Sequence, residues 1–171
     1  MDLRSDAAVW TRRAPLELSG GPMAGDVTCD VLVVGTGITG ALAAHALVDA
    51  GLDVVMIDRR GLARGATAAS TALIQYEVDV PLVELRATLG AADADSAYRQ
   101  TRAALDTLRD VIAREAIDCD LRHRPTLYLG RAPVDADLFA REVAARRAIG
   151  IECELLDGRA LRDAYGIDRP A

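Results

Sequence analysis

Lysine is absent from the 171 residues, and all 20 basic side chains are arginine. This excludes any chemistry in the segment that needs a lysine amine, either as a Schiff base or as an ammonium of shifted pKa. Aromatic residues make up only 4% and histidine occurs twice, so no convincing catalytic triad or metal site can be assembled from the sequence. His45 falls on an apolar helical stretch and reads as packed or solvated. His123, between Arg122 and Arg124, reads as a charged strand end. The three cysteines, Cys29, Cys119 and Cys153, lie far apart with neither a C-x-x-C pair nor a histidine at ligand spacing, and are expected to be buried reduced thiols in a cytoplasmic protein.

Positive charge is also in deficit. With a formal net charge of −6 the chain lacks the concentrated cationic surface that nucleic-acid phosphates require. No apolar h-region follows Arg4, Arg12 and Arg13, which argues against a cleaved secretion signal. Val31 to Val48 carries no formal charge and reaches the length of a membrane span. Glycines at 35, 37 and 40 divide it, however, and Asp30 and Asp49 bound it without a basic flank. A strand, a turn and a helix explain the run better than a membrane span. There is no internal repeat.

What is present is a hydrophobic fraction of 51% alongside 27% charged residues, the balance of a globular chain with a packed core. The length suits one ordinary domain and is short for two full-sized ones. Residues 1–26, interrupted by Pro15, Gly20, Gly21, Pro22 and Gly25, read as an irregular lead-in that Trp10 could anchor. Cys29 to Val34 reads as a strand buried on both faces. A helix over Ala41 to Ala50 follows and closes at Gly51, and Leu52 to Ile57 is a second buried strand ending at Asp58. Together these form one βαβ unit with parallel strands. Gly61 to Thr71 reads as a loop or short helix. Ala94 to Glu115 has an apolar face at Ala97, Tyr98, Thr101, Leu105, Leu108, Val111 and Ile112. Further on, Leu127 to Leu129 and Ile151 to Leu156 read as strands, and Leu138 to Ile149 as a helix ended by Gly150. Within that helix Glu142 and Arg146 are spaced for a minor i,i+4 pair. Asp157 is placed to cap a last helix that stops near Gly166.

The turn Gly35-Thr36-Gly37-Ile38-Thr39-Gly40 is the most informative stretch, because each glycine answers a separate steric demand. Gly35 turns the chain off the strand, Gly37 lets backbone approach a pyrophosphate, and Gly40 lets the helix pack closely. The N–H groups of Ile38, Thr39 and Gly40 would then stand at a helix N-terminus, where an anion is favoured. Asp58 lies 23 residues after Gly35, at the end of the second strand, the expected place for a carboxylate that accepts from an adenosine ribose. Arg59 and Arg60 could suit a 2′-phosphate, but Asp58 repels one, and ribose hydroxyls are the expected partner. A turn that merely packs is the alternative reading of the glycines.

After Asp58 a dehydrogenase domain would enter another helix and strand directly, whereas here Arg64-Gly65-Ala66-Thr67-Ala68-Ala69-Ser70-Thr71-Ala72 intervenes. This stretch resembles the G-[AS]-T-x-x-[AS]-[ST] segment of the D-amino-acid-oxidase-like (DAO) superfamily of FAD-dependent oxidoreductases. The resemblance is strong over about 27–80 and looser to 171. It implies an α/β fold: a Rossmann-like FAD-binding βαβ unit with the beginning of an α+β cap. The expected divisions are 27–80 for the FAD unit, 81–145 for a partial cap or substrate region, and 146–171 for a return to the FAD domain. FAD is the implied cofactor, with Ala66, Thr67, Ser70, Thr71 and Ala72 lying along it. Asp58 stands where the family usually has Glu, and Thr71-Ala72 replaces the common Ser-Gly.

The implied activity is oxidation of the C–N bond of an amine or amino acid by hydride transfer to flavin. The partner is then a small-molecule substrate, with no nucleic acid and no membrane span. The sequence names no catalytic residue, although Gln75-Tyr76-Glu77 could face the substrate. Tyr98, Tyr128 and Tyr165 read as packing residues. Family members continue well beyond 171 residues, so the chain is expected to be a truncated part with a missing C-terminal half or partner chain. An NAD-dependent dehydrogenase domain and a non-catalytic nucleotide-binding fragment remain the alternatives.

Overall fold

The computed structural model describes Trp10, residues 21–130 and residues 135–168. Most of the lead-in expected over 1–26 lies outside the described residues; 21–26 carry no regular element. The chain divides into two compact units, Met1–Leu73 and Ile74–Ala171.

In the first unit, strand β1 (Val31–Val34), helix α1 (Ile38–Asp49) and strand β2 (Val54–Ile57) form the expected parallel βαβ arrangement. The register pairs Val31 with Val54 and Val34 with Ile57. It is set where the strands begin: Asp30 Oδ2 accepts from the Asp53 N–H (2.9 Å), and the N–H groups of Asp30 and Val31 both donate to the Asp53 carbonyl. Helix α1 stops at Gly51, whose φ of +83° places it in the left-handed region where a Cβ is strained. The Gly51 N–H donates to Val48 O and the Leu52 N–H to Leu47 O, a Schellman closure.

The strands are not buried on both faces as the sequence suggested. With two strands the sheet covers little, leaving Leu32 53% and Val34 75% exposed. The charge-free run 31–48 is the anticipated strand, turn and helix. No helix among the described residues is long and apolar enough to cross a membrane. The three cysteines are free, but Cys119 is exposed and the other two are only half-buried, so none is the fully buried thiol expected.

The second unit contains α2 (Leu82–Leu89), α3 (Ala91–Arg114), α4 (Ala136–Ala148) and α5 (Gly158–Tyr165). Its core gathers Leu82, Ala94, Tyr98, Ala145, Ile149 and Ile151, with Tyr76, Val83 and Leu85 packed against it. Ile149 and Ile151 pack with residues of α2 and α3. Leu82 and Tyr98 are wholly buried, each worth about 1.5–3 kcal/mol in apolar transfer. The inward face of α3 follows the expected period at Tyr98, Thr101, Leu105, Leu108, Val111 and Ile112. In α5 the side chain of Asp157 accepts from the Ala160 N–H (2.7 Å), and Gly166 closes the helix, both as expected.

Three expectations change here. Residues 127–129 and 151–156 form no strand, because a β-run needs a ladder partner and no described segment pairs with either. Helix α2 was not anticipated. Pro81 precedes it without a side-chain cap, and its first N–H groups are satisfied from sixty residues away: Glu142 accepts from Leu82 N–H (2.8 Å) and Val83 N–H (2.9 Å). The Glu142–Arg146 pair, expected to be minor, is a buried 2.6 Å ion pair, with the two side chains 9% and 14% exposed.

Candidate dinucleotide site

The site is built on the β1–α1 turn. The Gly35 N–H donates to Ile57 O (2.8 Å), which extends the β1–β2 ladder by one bond. Gly35 then turns at φ +110°, a conformation closed to residues with a Cβ. At Gly40 a Cβ would lie 2.0 Å from the Gly35 carbonyl oxygen and 3.4 Å from Val33 Cγ1. The third glycine therefore answers a steric requirement: helix and turn are in contact there through backbone. Gly37 differs, since its φ of −74° and ψ of 179° suit any residue and a Cβ would meet only Thr67 Oγ1, at 3.1 Å. The space in front of Gly37 is open apart from that hydroxyl.

The first turn of α1 has neither an acidic residue nor a side-chain N-cap. Thr67, half-buried in the 3-10 helix Ala66–Ala69, accepts from the Ile38 N–H through Oγ1 (2.9 Å). The N–H groups of Thr39 and Gly40 have no acceptor among the described residues. Two unsatisfied first-turn donors thus stand at the positive end of a twelve-residue helix, where negative charge is favoured.

Asp58 is drawn back onto the turn. Its Oδ2 accepts from Thr36 N–H (3.0 Å) and Thr36 Oγ1–H (3.2 Å), and its Oδ1 accepts from Arg60 N–H (2.8 Å). The backbone donor of Arg60, then that of Thr36, hold the Asp58 carboxyl below the usual carboxylate range. Asp58 therefore stays ionised and fastens the turn to the end of β2. Of the roughly four acceptor positions on a carboxylate, three are used, so Oδ1 can still accept from a ribose hydroxyl. Thr36, buried between the first two glycines, was not singled out from the sequence; the signal was a hydroxyl at the x of G-x-G. Arg60 acts through its backbone, while Arg59 is exposed.

The remaining expected residues follow in line. Ala66 is exposed and Ala68 is buried. The Ser70 Oγ accepts from Ala72 N–H and the Thr71 Oγ1 from Leu73 N–H, which folds 70–73 into a tight bend. Ala72 adopts φ +56°, a left-handed conformation that suits glycine, the residue the family resemblance sets at this position. The Trp10 Nε1–H donates to Ser70 O (2.9 Å), the anchoring contact that the sequence suggested. The structure therefore brings Gly35, Gly37, Ile38, Thr39, Gly40, Asp58 and Thr67 together around one helix terminus. Tyr76 and Glu77 belong to the other unit. His45 lies 3.5 Å from Asp49, His123 is exposed, and no described group of three or more His, Cys, Asp or Glu could hold a metal.

Residues 30–170 match the family model DAO, described as FAD dependent oxidoreductase. The chain is 30% identical over 132 residues to a Bacillus subtilis (strain 168) protein named "Putative Rieske 2Fe-2S iron-sulfur protein YhfW", covering 77% of this chain and 26% of that one. It is 30% identical over 145 residues to the gamma-glutamylputrescine oxidoreductase of Escherichia coli (strain K12), covering 84% and 34%. It is also 39% identical over 87 residues to the tRNA 5-methylaminomethyl-2-thiouridine biosynthesis bifunctional protein MnmC of Maricaulis maris (strain MCS10), covering 50% and 14%. The aligned part thus amounts to about a third or less of each relative's length. No solved structure matches the chain significantly. With its glycine turn, its carboxylate at the end of β2 and a family match over most of its length, the chain belongs to the FAD-dependent oxidoreductase family DAO.

Proposed function

We propose that the first unit holds the adenine-dinucleotide half of FAD. The diphosphate sits on the N–H groups of Thr39 and Gly40 in front of Gly37, and Asp58 Oδ1 accepts from the ribose. Ile38 joins the diphosphate site when its N–H leaves Thr67. Ala66, Thr67, Ser70, Thr71 and Ala72 lie along the cofactor toward its ring. The observation that carries this reading is the pair of unsatisfied first-turn amides beside a glycine with open space before it. A 2′-phosphate on this ribose would face the ionised Asp58, and that like-charge repulsion disfavours NADP.

We further propose that the whole enzyme oxidises a C–N bond of an amine or amino acid to an imine, which water then hydrolyses. Two relatives whose names contain an amine support that choice. When bound, FAD supplies the hydride acceptor, and the residues of this chain bind and orient it. The test is titration of the chain with FAD, followed by flavin fluorescence, with NAD as competitor. Saturable FAD binding that NAD does not displace is expected. Binding of NAD in preference to FAD, or no binding of FAD, would refute the assignment.

A further inference from the structure

We propose that the second unit binds a protonated amine on Glu77, within a broad cavity of about 1540 Å³ lined by Tyr76, Glu77, Tyr98, Glu142 and Arg146. The proposal builds on the amine reading above and names a residue for it.

Two carboxylates and one guanidinium meet in this wall. Arg146 Nε donates to Glu142 at 2.6 Å, and its Nη1 donates to Tyr76 OH at 3.3 Å. Glu142 is fully engaged, since it also holds the N–H groups of Leu82 and Val83. Glu77 receives only the remainder of the guanidinium. Its Oε1 lies 3.5 Å from Arg146 Nη1, and its Oε2 is buried without a hydrogen-bond partner. The group therefore carries one net negative charge, placed on an acceptor that the protein leaves unsatisfied.

Of the other arginines in the wall, Arg102 and Arg109 share Asp106 at 2.6 and 3.7 Å, Arg122 pairs with Asp120 at 2.9 Å, and Arg124 donates to the His123 carbonyl at 3.4 Å. An anionic ligand would meet two carboxylates already crowding one guanidinium. A metal ion would need several oxygen ligands, and no described cluster supplies them. An alkylammonium fits, because its three N–H donors can satisfy a single carboxylate oxygen. The half-buried Tyr76 ring, which already attracts the Arg146 guanidinium at 5.9 Å, presents a face that favours a cation.

The experiment titrates the flavin-free 171-residue chain with n-butylammonium chloride by calorimetry, with n-butanol and sodium butyrate as size-matched controls. Saturable binding of the ammonium is expected, with both controls at least tenfold weaker. Glu77→Gln should weaken ammonium binding at least tenfold while leaving the helical circular dichroism unchanged. Equal binding of butanol, no saturable binding of butylammonium, or an unchanged affinity in Glu77→Gln would overturn the proposal. If the variant fails to fold, the selectivity of the parent among the three probes decides. FAD titration of the same preparation separates the two readings. Intact FAD binding without amine selectivity refutes only the Glu77 site, whereas amine selectivity without FAD binding refutes the cofactor assignment.

Discussion

Gly40→Ala and Gly37→Ala should both abolish FAD retention, but for different reasons, and the difference is measurable in the cofactor-free chain. At Gly40 the new Cβ would lie 2.0 Å from the Gly35 carbonyl oxygen, so one of them must move by about 1 Å to reach a tolerable contact. The Gly35 peptide is held on both sides, by its N–H on Ile57 O and by the Thr36 N–H on Asp58. Displacing it forfeits one neutral hydrogen bond, about 1 kcal/mol, and one to a charged acceptor, about 1.5–3 kcal/mol. Alanine's better helix propensity returns about 1 kcal/mol, leaving a net loss of about 1.5–3 kcal/mol. At Gly37 the backbone suits any residue and only the Thr67 hydroxyl is met, at 3.1 Å, so the fold should lose no more than about 1 kcal/mol. Urea denaturation followed by circular dichroism gives the stabilities, and flavin fluorescence gives the binding. A Gly40→Ala protein as stable as the parent would refute the backbone contact between helix and turn. A Gly37→Ala protein with normal FAD affinity would refute the diphosphate position.

Two further outcomes follow from the second unit. Glu142→Ala leaves Arg146 and the first N–H groups of α2 without their acceptor and should cost about 3–5 kcal/mol; a loss under 1 kcal/mol in urea denaturation would show that this carboxylate is not the link between α2 and α4. Burial pushes the Tyr98 phenol up to about 12 from its ordinary 10.0, so the folded chain favours the neutral form. That contribution is complete below about pH 10 and is lost as pH rises through about 12. Burial also raises Tyr76, so absorbance at 295 nm should show tyrosine ionisation extending well above pH 10, its last step coupled to loss of helix, and Tyr98→Phe should remove that last step. Four tyrosines ionising together near pH 10 with helix intact would contradict the burial.

What could be read in the sequence was set by local backbone demands. The glycine turn, the closure at Gly51 and the Asp157–Gly166 frame of α5 each depend on residues within a few positions of one another, and each appears where the spacing places it. The missed features depend on distant partners. Helix α2 starts on a carboxylate sixty residues away, and the apolar runs at 127–129 and 151–156 find no partner strand among the described residues.

Three carboxylates show the same division more sharply. In sequence Asp58 is marked by its spacing from Gly35, whereas Glu77 and Glu142 are acids beside arginine or apolar residues, and nothing local ranks those two. In the structure Asp58 takes three donors from the turn and from Arg60, and Glu142 takes two backbone N–H groups and a guanidinium. Glu77 takes one long contact. An ionised carboxylate withdrawn from water must be met by donors, so the first two are satisfied as parts of the fold. The third is satisfied only by a donor from outside the described residues, and it is on Glu77 that a charged amine has an energetic reason to bind.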